Sequence, residues 1–404
     1  MYLCKKYKLN LKKPKKTGEF KMKTPKTSKH FKKIIDKTSG VAHYVLATRL
    51  VEYQQGFYFI NNSMTRDGRY LWFYAVPNAV YLPRDRNLGY VDFQTDEVVI
   101  CYDCLAEGAS PYVDAETGEV YFARGRSLYK RAPGKDKKAE KIFTLKEYGG
   151  YLASLVCHLT RLSDKKSFFL DIGRDDFGFI QGVANTETGE FTKWTEMTYT
   201  ANHGQINPAS DRLAMVGIDT GDDLATGKTF GVPISEEGVF QRIWTVTADG
   251  KKTCIPPLHN YASHEWWSPN GERIYYCCDN HGICSYDINT GEHILFHECD
   301  PWHAHTTADE KYFIYDVKLL ERYGGKWYRG CPAAVKFFNR ETGKLINVVT
   351  EMPEGGTPEK PNSYHIDPHP RFTENEEYVV FTTTELGSVD LAVAYVDELI
   401  EASK

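Results

Sequence analysis

The sequence predicts an all-β fold, a single seven-bladed β-propeller. Two observations carry that reading: a strand-rich composition without helical periodicity, and a turn-plus-strand unit that recurs seven times. The chain has 404 residues, among them 27 Tyr and 21 Phe, types that suit a pleated, half-buried surface. Its apolar residues come in short runs bounded by turn clusters, which is strand patterning. Barrels and propellers reach this length as one unit, with enough chain to bury a large core.

The recurring unit is a polar turn, rich in Asp, Asn or Gly, followed by an aromatic or branched strand. Thr65-Arg-Asp-Gly68 precedes Tyr70, Glu116-Thr-Gly118 precedes Val120, and Ser163-Asp-Lys-Lys precedes Ser167. Pro208-Ala-Ser-Asp211 precedes Leu213, and Ser268-Pro-Asn-Gly271 precedes Ile274. Ala308-Asp-Glu310 precedes Tyr312, and Asn375-Glu-Glu precedes Tyr378. The spacing of about 40 to 65 residues fits stacked supersecondary units, and four-stranded blades are the all-β case. A second turn, ending in Thr-Gly at Gly189, Gly291 and Gly343, reads as the hairpin between the outer strands of a blade.

Charge is unevenly spread. Residues 1–37 hold 14 Lys against two acids, Glu19 and Asp36, so that a formal net charge of −4 leaves −16 on the rest. The expected organisation is a basic, disordered extension over 1–37 and the propeller over 38–404. An acidic body argues against nucleic acid as a partner. No run approaches the ~18 apolar residues of a membrane helix, so no membrane partner is expected. The ten Cys show no secreted framework spacing, and the adjacent pair Cys277 and Cys278 fits a reducing, cytoplasmic setting. Cys101-x-x-Cys104 reads as a pair of strand cysteines, because no second pair stands at matching spacing.

The histidines are in phase with the repeat. His158, His203 and His264 lie ten residues before Phe168, Leu213 and Ile274 of their repeat strands; His303 and His369 lie nine before Tyr312 and Tyr378. Equivalent places in a ring of blades converge on the central channel. Imidazole is the commonest metal ligand and the commonest general base near neutral pH. In an extended strand His303 and His305 share a face, as do His365, Asp367 and His369, and such N/O donor sets suit Mn, Zn or Fe. His264 has no neighbouring ligand and is the candidate for proton transfer. Arg242 either pairs with an internal acid or faces the channel to grip a carboxylate.

At these residues the chain resembles the oligogalacturonate lyases, a family of β-propeller polysaccharide lyases. The resemblance spans nearly all of 45–397. It rests on Thr48-Arg-Leu with Gln54-Gln-Gly-Phe-Tyr-Phe, on Asn202-His203-Gly-Gln205 and on Gln241-Arg242-Ile-Trp244. It rests also on His264-Glu-Trp-Trp-Ser-Pro-Asn-Gly271 and on Pro368-His369-Pro-Arg-Phe-Thr-Glu-Asn375. It implies β-elimination on an acidic oligosaccharide with a divalent metal, manganese first. His264 is then the base, Arg242 the carboxylate partner, and His203 or water the donor to the leaving group. The family's three His and one Gln are met here by His303 and His369, with Asp367 in the place of a His and Tyr364, beside His365, in the place of the Gln. The metal set expected is therefore His303, His365, Asp367 and His369, either altered from the family or shifted in register. Two alternatives stay open: a lyase or hydrolase for another uronate glycan, ulvan- or glucuronan-like, and a non-catalytic propeller for sugar sensing or protein interaction. The Gly- and acid-rich stretch 221–238 is expected to be a surface loop, or else a lid.

Overall fold

The computed structural model describes residues 21–404 apart from 79–85, 147–152, 175–177, 224–227, 260, 279 and 322–324. Seven antiparallel sheets form the blades of a propeller. In each of the seven units, the strand expected after the turn is the second strand of a blade. Tyr70–Val76, Val120–Arg124, Ser167–Arg174, Ser210–Asp219, Arg273–Cys278, Tyr312–Lys318 and Tyr378–Thr383 occupy that place in blades 1 to 7. The Thr-Gly turns at Gly189, Gly291 and Gly343 join the third and fourth strands of blades 3, 5 and 6.

The second strands read as apolar runs because both of their faces are covered. Leu71 through Val76 are all buried, as are Phe168 through Ile172. Seven large apolar clusters lie between neighbouring blades and close the ring. Leu71 and Phe73 pack with Val380 and Leu391 where blade 1 meets blade 7; Val335 and Phe337 pack with Phe372 and Phe381 where blade 6 meets it. An eighth, smaller cluster holds Val76, Tyr364 and Val389.

Closure also uses both ends of the described chain. Blade 7 is five-stranded, with Ala42–Leu46 pairing to Asp390–Tyr395 and Phe31–Ile35 added outside it. The propeller therefore begins at Phe31, not at residue 38: the lysines at 32 and 33 project from an outer strand while Phe31 and Ile34 pack inward. Residues 1–20 of the expected extension lie outside the described residues. The stretch after Gly221 begins as a two-stranded ladder, Gly221–Asp223 with Lys228–Phe230. No described helix is long and apolar enough to cross a membrane. Cys101 and Cys104 are buried in the outer strand of blade 1, Glu97–Ala106.

Candidate active site and metal centre

The innermost strands of blades 3 to 5 carry His158, His203 and His264, and bulges aim them; His303 and His369 lie just before the inner strands of blades 6 and 7. In blade 3 the register jumps from Val156 to Leu159, in blade 4 from Asn202 to Gln205, and in blade 5 from Ser263 to Trp266. The skipped residues include His158, His203 and His264. A bulge bends the strand and re-aims side chains. His203, His264 and His369 sit at φ of 57°, 48° and 47°, a left-handed conformation uncommon for a non-glycine residue. Such strain, about 1–3 kcal/mol per residue, clusters at functional sites and persists where the surrounding packing holds it.

The five rings form an arc about the axis. Centroid separations run 5.3 Å from His158 to His203, 6.4 Å to His264, 4.2 Å to His303 and 4.3 Å to His369. Tyr58 fills the space inside the arc, 4.6 Å from His158 and 4.7 Å from His369. A cavity of about 380 Å³ opens beside it, lined by Tyr58, Arg86, Cys157, His158, His203 and His369 among others.

His303, Asp367 and His369, all buried, place one donor atom each within 4.8 Å of one another. Asp316 organises two of them from beneath. Its carboxylate accepts from the His303 backbone N–H at 2.6 Å, lies 3.0 Å from His303 Nδ1, and accepts from the His369 backbone N–H at 3.3 Å. With Nδ1 held, the Nε2 of His303 is the nitrogen left for an ion, the usual carboxylate–histidine arrangement of metal sites. His369 Nε2 is buried without a hydrogen-bond partner. Asp367 is ion-paired with buried Lys318. Burial pushes the Asp367 carboxyl up, but Lys318 and then His365 outweigh it and hold it well below the usual range. Orphaned imidazole nitrogen beside an ionised carboxylate is a donor set that fits a divalent cation such as manganese.

His365 does not stand in this triad. Its side chain is 55% exposed and its Nε2 lies 2.5 Å from Asp367 Oδ2, so it contacts the carboxylate from outside. Tyr364, in the place of the family's Gln, donates instead to Gln55 Oε1 at 2.6 Å. His305 leaves the cluster as well: its ring packs 6.1 Å from Phe372. The chain around 303 is not extended enough for His303 and His305 to share a face, because the strand begins only at Ala304.

His264 is enclosed between the triad and Arg242. Its Nδ1 is buried without a partner, and its ring lies 5.4 Å from Trp302. Burial, with His303 and Arg242 adding to it, pushes its pKa well below the ordinary value, so the imidazole is neutral. Arg242 is 4% exposed and takes the internal-acid option: Nε donates to Glu265 Oε2 at 3.1 Å and Nη1 to Asp219 Oδ1 at 3.3 Å. Glu265 is buried, and Arg242 and His203 overcome that burial to hold its carboxyl at about 2. Its other oxygen lies 3.2 Å from His203 Nδ1. Burial lowers the His203 pKa, but Cys157 and Glu265 outweigh it and push it up to about 10. Gly217 makes this cluster possible, since a Cβ there would lie 2.2 Å from Glu265 Oε1.

Sequence reasoning missed Asp316, Lys318 and Glu265. Asp316 and Lys318 lie within the repeat strand Tyr312-Phe-Ile-Tyr-Asp-Val-Lys318, where two charges inside an apolar run are the only signal available. Glu265 adjoins His264 and precedes Trp266 and Trp267 in a largely buried strand, a weaker signal of the same kind.

No protein-family model matches the sequence, and no curated protein matches it either. Solved structures do match the fold. An oligogalacturonate lyase in complex with manganese superposes with a TM-score of 0.70 at 18% identity, over 90% of this chain and 96% of that one. The oligogalacturonate lyase of Vibrio parahaemolyticus gives 0.67 at 17%, over 91% and 96%. A puromycin hydrolase mutant gives 0.54 at 11%, over 83% of this chain and 51% of that one. At these identities the likeness establishes that the chain folds as the seven-bladed propeller of the lyase structures.

Proposed function

We propose that the protein is a metal-dependent lyase that cleaves oligogalacturonate, a uronate oligosaccharide, by β-elimination. One observation carries the reading. A neutral, half-buried His264 with a buried, unpartnered Nδ1 stands 4.2 Å, ring to ring, from His303 of a buried His–Asp–His triad, with Arg242 on its other side. The fold likeness to lyase propellers supports it.

The C5 proton of a uronate is α to a carboxylate and weakly acidic while that carboxylate keeps its charge. A cation held by His303, Asp367 and His369, manganese first, would supply neutralisation of that charge. Arg242 adds to it as a preorganised positive group. Asp219, whose side chain is 43% exposed, is the partner that a substrate carboxylate would displace from Arg242. His264 takes the C5 proton, the C5–H electron pair forms the C4–C5 double bond, and the C4–O4 bond breaks. The leaving oxygen takes a proton from His203 or, where His203 holds an ion, from water. His365 contacts Asp367 from outside, and Trp302 packs against His264.

The test is ultraviolet absorbance of the unsaturated product from short oligogalacturonates, with manganese or with EDTA. A metal-dependent rise that falls by about 10²–10⁴-fold in His264→Ala supports the reading. Wild-type turnover in that variant removes the base assignment. No rise on this or other uronate oligomers removes the lyase.

A further inference from the structure

We propose that Cys157, His158 and His203 form a second metal site, one that takes zinc in preference to manganese. It rests on the geometry of these three residues and not on the lyase reading.

The bulge in blade 3 places Cys157 and His158 together at the channel. Two inner-strand residues are skipped between Val156 and Leu159, and Cys157 adopts a φ of 61°. Blade 4 brings His203 against them from the next inner strand. One donor atom from each lies within 4.8 Å of the others. Donors around a tetrahedral zinc sit roughly 3.5 Å apart, so ion binding draws the set in by about an ångström.

Two independent observations point to an ion. His158 is 2% exposed, and neither of its ring nitrogens has a hydrogen-bond partner. A buried polar ring without partners costs free energy that a ligand would recover. The Nδ1 of His203 is already engaged. It lies 3.0 Å from Arg242 Nη2 and 3.2 Å from the buried Glu265 carboxylate. That leaves Nε2 on the Cys157 side, and the thiol hydrogen-bonds the ring.

Donor chemistry sets the two sites apart. A thiolate with two imidazoles is a soft-to-borderline set suited to zinc, whereas the Asp-containing triad suits manganese. On binding, the Cys157 thiol loses its proton to solvent and the sulfur coordinates the ion. Cys157 and His158 both line the cavity beside Tyr58, so a fourth position is open to it. The ion would add positive charge where an anionic ligand enters.

Cobalt(II) titration of the full-length protein reads the thiolate directly, through the sulfur-to-cobalt charge-transfer band in the near ultraviolet. The band is expected in the wild type and in His369→Ala, and absent in Cys157→Ser. In His158→Ala affinity is expected to fall by at least the ~10–100-fold that loss of an outer-shell partner alone costs. No band in the wild type, or one retained in Cys157→Ser, overturns the proposal. A second measurement needs no variant: zinc is expected to slow iodoacetamide alkylation of Cys157 at least tenfold, read by peptide mass spectrometry. An unchanged rate at saturating zinc overturns it too. A protein with the cobalt band but no lyase activity would sustain this site while removing the lyase reading.

Discussion

Replacing Asp316 with Asn separates the roles of the buried triad from the apolar packing around it. The Asp316 side chain is wholly buried and holds three donors: the His303 N–H, His303 Nδ1 and the His369 N–H. Asn keeps the volume but offers one acceptor oxygen, and its NH₂ group faces a donor. Leaving a buried donor of this set without its acceptor costs about 1–3 kcal/mol. The metal-free variant should therefore melt well below the wild type. The same substitution lets the His303 ring turn and lowers its basicity. Manganese affinity should then fall by ~10–100-fold, or about 1.4–2.7 kcal/mol. Manganese electron paramagnetic resonance gives the free-ion concentration, and calorimetric melting with and without metal gives the stability. Wild-type affinity in Asp316→Asn would refute the claim that this carboxylate orients the ligands.

Other perturbations test other parts of the site. Lys318→Met leaves the buried Asp367 carboxylate with only the exposed His365 beside it, so stability should drop, by at most about 3–5 kcal/mol, and saturating manganese should restore much of the melting temperature. Gly217→Ala forces Glu265 away from His203 and Arg242; lyase activity should fall while circular dichroism shows an intact propeller. Burial holds the folded-state pKa of His158, His264 and His305 below the ordinary value, so the unfolded chain takes up these protons first. Metal-free stability should therefore fall as pH drops below about 6.5, by about 1.4 kcal/mol per pH unit for each ring, and urea melts at pH 7 and pH 5.5 would measure it. A flat profile across that range would mean that the three rings are not held neutral.

Much of the architecture was legible from local physics. A strand covered on both faces must be apolar throughout, and a blade must turn in a few residues, so the turn-plus-strand unit announced itself at Tyr70, Val120 and five later places. The same periodicity put five histidines at one position of the blade, and the structure gathers four of them around Tyr58 and sets His264 against Phe59. Residues 31–37 misled because lysine-rich composition resembles a tail. An outer strand, however, needs only a few packed side chains, and Phe31 and Ile34 provide one on each side of the blade.

What the sequence by itself determined was the ring, its seven units, and which histidines point toward the axis, since these follow from period and burial alone. Only the tertiary structure decided which of them share an ion. Strand alternation put His305 beside His303, and His365 beside Asp367 and His369, yet the chain bends at each place and sends one ring to Phe372 and the other to solvent. It also decided that Arg242 meets Glu265 and Asp219, and that Asp316 lies beneath both His303 and His369. These pairings join residues up to 53 positions apart across blades, as Asp316 and His369 are. A hydrogen bond of that kind is set by a few tenths of an ångström in the packing of neighbouring sheets, which no local pattern encodes.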